Sequence, residues 1–81
     1  MPIFELGERR PTYASDDYFI APTATIIGSV RIGHQANIWF NCVLRSDNEV
    51  IVLGDRVNVQ DATVIHSDRK LGCILENDVA I

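Results

Sequence analysis

The sequence predicts an all-β fold, a left-handed parallel β-helix, and two repeated patterns carry this prediction. Aliphatic residues recur at a spacing of six, and the same spacing returns after each of two interruptions. Small or β-branched residues follow most of these anchors four positions later. The anchors are Ile20, Ile26, Ile32, Ile38, Leu44, Leu53, Val59, Ile65, Leu75 and Ile81. The residues that follow them are Ala24, Val30, Ala36, Cys42, Val57, Thr63 and Val79.

A period of six matches neither the 3.6-residue period of an amphipathic helix nor the simple alternation of an isolated strand. It fits a three-sided prism in which each side carries a short strand with one aliphatic side chain pointing inward. Three such units make one coil of about 18 residues, and stacked coils bury a shared core through parallel pairing. An antiparallel sandwich with Asn, Asp and Gly turns is the less favoured alternative.

The length of 81 residues allows one domain. Residues 1–19 lie outside the repeat and are interpreted as a lead-in, whereas residues 20–81 form the repeats and are incomplete at the C-terminus. Because terminal repeats of a solenoid need a cap, Tyr13, Tyr18 and Phe19 are expected to cover the open first coil.

Composition limits the classes of function. Apolar residues make up 47% of the chain and the net charge is −4, so the chain is globular, and neither nucleic acid nor an anionic membrane is favoured as a partner. No apolar stretch is long enough to span a bilayer, and the N-terminus lacks a signal-peptide core, which predicts a cytoplasmic protein. Cys42 is interpreted as a core residue and Cys73 as an ordinary thiol, both reduced in that compartment.

The two interruptions, residues 45–50 and 66–73, are predicted to bulge as loops at one edge of the solenoid, which is often the binding edge. Arg45 and His66 each follow an anchor directly, so they are expected at neighbouring corners of successive coils. Polar residues that share this structural phase are then expected to form one cluster. Its predicted members are Arg45, Asp47, Asn58, Gln60, Asp61 and His66.

Five consecutive segments resemble, in order, the motifs of the γ-carbonic anhydrase-like family. They are IGSVRIG at 27–33, NIWFN at 37–41, VLRSD at 43–47, LGDRVNVQD at 53–61 and VIH at 64–66. The resemblance covers residues 11–81. Hexapeptide-repeat acyltransferases share the period of six but lack the series RSD, NVQD and IH.

The resemblance implies a homotrimer with a metal, zinc or else iron or cobalt, held at each subunit interface by three histidines from two chains. It assigns His66 as a metal ligand, and it assigns Arg45 and Asp47 as interface ion-pair residues. Gln60 and Asp61 are implied to lie beside the water on the metal, where Gln60 would position it by hydrogen bonding. The implied activity is a lyase reaction, the reversible hydration of carbon dioxide to bicarbonate by a metal hydroxide.

The sequence departs from the family pattern in two places. The other two family histidines come in a His-x4-His arrangement after the stretch that corresponds to residues 75–81, where this chain ends. His34 matches no ligand and is expected to face solvent. Because catalytic zinc needs about three protein ligands, we expect a fragment with little or no activity as it stands. Asn48 occupies a position where efficient hydrases carry an acidic residue, which argues against high activity.

Two other functions stay open at the level of sequence. One is a non-catalytic trimeric scaffold that keeps the fold without the chemistry, and the missing histidines favour it for the chain as given. The other is a hexapeptide-repeat acyltransferase with a histidine as general base, although the series NVQD-x4-H favours carbonic anhydrase ancestry. Trp39 and Phe40 are expected to form a subunit contact or an exposed aromatic patch.

Overall fold

The computed structural model describes residues 2–67 and 70–81, and in this part of the chain it contains nine strands and no helix. All pairings between strands are parallel, so the predicted all-β left-handed parallel β-helix is confirmed, with about three turns. The strands are β1 (Ile3–Phe4), β2 (Thr12–Tyr13), β3 (Phe19–Ile20), β4 (Thr25–Ile32), β5 (Asn37–Ile38), β6 (Val43–Leu53), β7 (Asn58–Val59), β8 (Val64–His66) and β9 (Cys73–Leu75).

The strands stack on three faces of the prism. The first face carries β1, the first half of β4, the first part of β6, and β8. The second face carries β2, the remainder of β4 and β6, and β9. The third face carries β3, β5 and β7. Strands β4 and β6 therefore bend from the first face to the second, and their register shifts between Gly28 and Val30.

The predicted anchors form the core, because their side chains alternate inward along each strand. Leu75 is only half-buried and Ile81 is 42% exposed, both in the last coil. Ile51 is fully buried although the pattern did not assign it inward; it pairs with Val30 just after the first interruption. The buried anchors are Ile20, Ile26, Ile32, Ile38, Leu44, Leu53, Val59 and Ile65.

The lead-in takes part in the solenoid. Ile3 pairs with Ile26, and Thr12 pairs with Arg31, so β1 and β2 extend two faces by one strand each. Tyr13 and Tyr18 stack with ring centroids 4.8 Å apart, and Tyr18 packs against the core. Burial raises the pKa of the Tyr13 hydroxyl, with a smaller contribution from Tyr18. The domain boundary at residue 20 stays a prediction.

Two corners of the prism are regular and are called here the left-handed corners. Both use residues with positive φ: Gln35, Arg56 and Asp78 at one corner, and Asn41 and Ala62 at the other. Backbone bonds join successive coils there, as from the Arg56 amide to the carbonyl oxygen of His34 at 2.8 Å. These bonds satisfy polar groups that a tight turn would otherwise leave unpaired.

The third corner, called the loop corner, comprises residues 28–29, 46–50 and the described residues 67 and 70–72. Gly28 has a φ of 81° and lies against the backbone of Ser46, so that a Cβ atom there would overlap the Ser46 carbonyl. Ser29 alone separates the paired residues on β4, whereas residues 47–50 separate their partners on β6. The chain can lengthen at this corner because the bulge projects outward from the core.

Candidate functional site

Strands β6 and β8 place Arg45 and His66 side by side on the outer surface of the first face. Their Cα atoms are register partners, as are those of Leu44 and Ile65 immediately before them. Side chains alternate along a strand, so the buried pair Leu44 and Ile65 forces Arg45 and His66 outward. The prediction that these two residues occupy neighbouring coils in the same phase is confirmed.

Asp47 completes a contact with this pair. The imidazole Nε2 of His66 lies 2.8 Å from Asp47 Oδ1, and its Nδ1 lies 3.3 Å from Arg45 Nη2. A guanidinium can only donate and a carboxylate can only accept, so the neutral ring satisfies both contacts with its proton on Nε2. These three residues are called the His66 cluster.

Electrostatics in the His66 cluster favour an ionised carboxylate. The hydrogen bond from His66 is the largest cause that lowers the pKa of Asp47, while partial desolvation opposes it and the charge of Arg45 adds a smaller lowering. The Asn48 amide also donates to Asp47 Oδ1, at 3.2 Å. The side chains of His66 and Asp47 remain 41% and 35% exposed, so the cluster is open to a ligand or a partner.

The cluster fits a metal ligand with its orienting carboxylate, but it is not a complete metal site. Both ring nitrogens of His66 are engaged, so His66 can ligate a metal only after one of the two contacts opens. A carboxylate on the other ring nitrogen is the usual partner of a ligating histidine. Among residues 2–67 and 70–81, no group of three or more His, Cys, Asp or Glu side chains could hold a metal.

Gln60 and Asp61 lie elsewhere, at the left-handed corner where β7 leads into β8. They line a cleft of about 320 Å³ together with Trp39 and Asn58. The Asn58 Oδ1 atom is buried, and among the described residues it has no hydrogen-bond partner. The Cys42 thiol donates to the carbonyl oxygen of Gln60 at 3.0 Å from inside the core. We call Gln60, Asp61, Trp39 and Asn58 the Gln60 group.

The structure therefore divides the predicted cluster into two groups within one chain. Arg45, Asp47 and His66 are in contact, whereas the Gln60 group lies at the opposite end of β8. Trp39 packs against Phe19, with ring centroids 4.9 Å apart, and Phe40 is 41% exposed. His34 is exposed as expected, and its backbone contacts the neighbouring coil: its N–H donates to Asp55 Oδ1, and its carbonyl oxygen accepts from the Arg56 amide.

Two buried serines were missed by the sequence reasoning. Ser46 is fully buried, and its hydroxyl donates to the carbonyl oxygen of Glu49, closing the loop that carries Asp47. Ser67 is 1% exposed at the equivalent place one coil later. The signal was present, because Arg45-Ser46-Asp47 is repeated as His66-Ser67-Asp68 after equivalent anchors. Asp68 itself lies outside the described residues.

Both cysteines are free thiols, and Cys42 is buried in the core as predicted. Cys73 is half-buried on β9. In the described part of the chain, no helix has the length and apolar character needed to cross a membrane.

Sequence comparisons with characterised proteins point to one family. The chain is 48% identical over 50 residues to the mitochondrial gamma carbonic anhydrase 2 of Arabidopsis thaliana, covering 62% of this chain and 18% of that protein. It is 43% identical over 63 residues to a carbonic anhydrase of Geobacillus kaustophilus, covering 78% of this chain and 35% of that protein. The chain is γ-carbonic anhydrase-like.

A third relative carries a different name. An uncharacterized transferase of Bacillus subtilis is 43% identical over 63 residues, covering 78% of this γ-carbonic anhydrase-like chain and 37% of that protein. No family model matches the chain. The chain thus spans well under half the length of each of these three relatives.

Proposed function

We propose that the chain acts in the reversible hydration of carbon dioxide, at a metal site between the subunits of a homotrimer. The observation that carries the proposal is the His66 cluster, in which Asp47 orients an exposed imidazole on an outer face of the solenoid. The likeness to two carbonic anhydrases supports the same chemistry.

Each residue of the His66 cluster has a proposed task. His66 supplies one ligand to a zinc, iron or cobalt ion. Asp47 keeps the other ring nitrogen protonated and fixes the plane of the ring. Arg45 leaves the imidazole and pairs with a carboxylate of the neighbouring subunit, which frees Nδ1. A metal held by His66 and further ligands would supply Lewis acidity, which lowers the pKa of a bound water to about 7.

The separation of the Gln60 group from His66 supports a site shared between subunits. Asp61 precedes β8 and His66 is its last residue. Because a strand rises about 3.3 Å per residue, the two groups of one chain lie at opposite ends of this strand and are not in contact. A neighbouring copy packed against the first face can bring its own Gln60 and Asp61 to this His66. Gln60 would then position water by hydrogen bonding, and Asp61 would help to orient it.

An apolar strip on the same face supports the homotrimer. Val64, which begins β8, is 68% exposed, and its register partner Val43 is only half-buried. Exposed apolar residues beside a polar cluster are typical of a surface that a partner covers. A second copy of the chain is the partner that the shared site requires.

Two alternatives keep a specific observation in their favour. A non-catalytic trimeric scaffold fits the His66 cluster, where both ring nitrogens of His66 are already engaged by Asp47 and Arg45. An acyltransferase fits the transferase name of the Bacillus relative. A cytoplasmic location stays a prediction, since the Arabidopsis relative is named as mitochondrial.

The decisive experiment measures carbon dioxide hydration and bound metal in the complete gene product and, separately, in the 81-residue chain. The complete product should bind about one metal per subunit and hydrate carbon dioxide, and His66→Ala should abolish both. His34→Ala is the matched control and should change neither, because the His34 side chain has no contact in the cluster. The 81-residue chain should show little hydration.

The results separate the three functions. A metal-free, trimeric complete product without hydration would support the scaffold. Transfer of an acyl group from acyl-CoA that depends on His66, without any hydration, would support the acyltransferase. Metal binding and hydration unchanged in His66→Ala would overturn the proposed role of this residue.

A further inference from the structure

A cleft at the loop corner, which shares no residue with the Gln60 group, gathers three arginines that the proposed hydration does not use. It has a volume of about 330 Å³ and lies between the lead-in, β4 and the loop of β6. Volumes of this size are at the lower end of small-molecule sites. The residues that line it are Glu8, Arg9, Arg10, Thr12, Ser29, Arg31, Glu49 and Val50.

The wall formed by the lead-in is held in place by backbone hydrogen bonds. Leu6 and Arg9 close a tight turn through two reciprocal backbone hydrogen bonds, at 2.8 and 2.9 Å. Gly7 provides the positive φ of 61° that this turn requires. On either side of the turn, β1 and β2 pair with β4, which holds Arg9 and Arg10 beside the solenoid.

The opposite wall comes from the coils themselves. Arg31 points outward from β4, between its register partners Thr12 and Val52. The loop residues Glu49 and Val50 project from β6 at the loop corner. The cleft therefore depends on the lengthened loop, since a regular corner would not bring residues 49 and 50 over Ser29.

Charge is unbalanced in this cleft. Three arginines and two glutamates line it, in a chain whose net charge is −4. Within the described residues, none of these arginines lies within ion-pair distance of a carboxylate. The Arg9 Nη1 atom donates to the Ser29 hydroxyl instead, at a long distance of 3.4 Å. Three arginines and the Thr12 side chain thus line one small volume.

We propose that this cleft is a binding site for a phosphate group, either free phosphate or the phosphate of a small phosphomonoester. Guanidinium groups bind such oxyanions through two parallel N–H donors, and a doubly charged anion relieves the repulsion between neighbouring arginines. Glu8 and Glu49 oppose the anion, so binding is weak and is tuned by Glu49. This site is independent of the proposed hydration and does not share residues with the His66 cluster.

The test is an NMR titration of the 81-residue chain at constant ionic strength, with inorganic phosphate, glycerol phosphate and bicarbonate in separate arms. Phosphate should shift the amide signals of Arg9, Ser29, Arg31 and Glu49 along a saturable curve. Bicarbonate, with one charge, should bind more weakly. Tighter binding of glycerol phosphate than of phosphate would identify the phosphomonoester as the preferred source.

Variants make the assignment specific. Arg31→Gln should weaken phosphate binding about tenfold, as expected for the loss of a charge-assisted hydrogen bond. Glu49→Gln should strengthen it. Arg56→Gln is the matched control, because Arg56 pairs with Asp78 at a left-handed corner, and it should leave binding unchanged. If Arg31→Gln does not fold by circular dichroism, Arg9→Gln takes its place.

Three results would overturn the proposal. The first is a titration without saturation, or with shifts spread over the whole surface. The second is an equal loss in Arg31→Gln and Arg56→Gln, which would show a response to net charge alone. The third is a Glu49→Gln variant with unchanged phosphate affinity, which would place the anion away from the cleft.

Discussion

The left-handed corners and the loop corner of this solenoid solve the same geometric problem in different ways. At the left-handed corners, residues with positive φ recur in phase, and backbone hydrogen bonds join successive coils. At the loop corner the number of residues differs from coil to coil, and a buried hydroxyl, that of Ser46, closes the loop. The repeat is therefore kept where the backbone is constrained and broken where it is free to bulge.

The difference explains where the polar side chains gather. Cross-coil contacts at a left-handed corner stabilise the fold, and an example is the ion pair between Arg56 and Asp78 at 2.6 Å. At the loop corner the equivalent contact joins Asp47 to His66, and a guanidinium approaches the other ring nitrogen. Both the His66 cluster and the arginine cleft lie next to the loop corner. Insertions there change the surface without disturbing the core beneath it.

The largest expected effect tests whether the core is continuous beneath the loop corner. Leu44→Asp places an unpaired charge in the apolar interior and should lower the free energy of unfolding by several kcal/mol, about enough to unfold the chain. Ile74→Asp is the control, because Ile74 is 68% exposed, and its effect should stay within about 0.5 kcal/mol. Urea unfolding followed by circular dichroism measures both. Equal stabilities would mean that Leu44 does not face inward.

The second prediction concerns the close backbone approach at the loop corner. Gly28→Ala should destabilise the fold by about 2–4 kcal/mol, because a Cβ would overlap the Ser46 backbone and φ is positive. Gly7→Ala is the matched control, with positive φ and open space around it, and should cost about 1 kcal/mol. Thermal or urea unfolding of the two variants compares them. A Gly28→Ala chain as stable as Gly7→Ala would show that the coils can separate at this corner.

The third prediction concerns strain at a left-handed corner. Ala62 has a φ of 61°, so Ala62→Gly should stabilise the fold by about 0.5–1 kcal/mol by removing the penalty of a Cβ in that region. Ala36→Gly is the control; Ala36 is buried without positive φ, and this change should destabilise by about 1 kcal/mol. Urea unfolding should show a higher free energy of unfolding for Ala62→Gly and a lower one for Ala36→Gly than for the unchanged chain. A loss of stability in both variants would contradict it.

The smallest expected effect compares the two cross-coil carboxylates by pH. The hydrogen bond from Arg56 is the largest cause that lowers the pKa of Asp78, as the one from His66 is for Asp47. A lowered folded-state pKa means that the carboxylate stabilises the fold above its unfolded pKa of about 3.9 and that this contribution is lost as the pH falls through the folded value. Because both carboxylates are exposed, the change in stability is small.

Carboxyl NMR titrations can separate the two pairs. Arg56→Gln should raise the pKa of Asp78 and leave that of Asp47 unchanged, whereas His66→Ala should do the reverse. A variant that moves both pKa values would show that the two corners are coupled through the fold. Arg56→Gln without an effect on Asp78 would show that the ion pair does not persist in solution.

The core was readable from the sequence because its pattern is local. A period of six assigned every buried anchor from Ile20 to Ile65, and the interruptions located the loop corner. The burial of Ile51 was not predicted, because Ile51 follows the first interruption, where the period of six is lost until it resumes at Leu53. The strands of the lead-in were not predicted, because β1 and β2 have two residues each and are too short to show any period.

The candidate site divides in the same way. The sequence by itself determined that Arg45 and His66 share a phase, since each follows an aliphatic anchor, and that Gln60 and Asp61 follow another. Only the tertiary structure decided that His66 contacts Asp47 and Arg45 and that the Gln60 group lies at a different corner. It also decided that three arginines from the lead-in and β4 share one cleft. These contacts join residues about one coil apart, and their distance depends on loop length and on which way each strand faces, which a one-dimensional period does not encode.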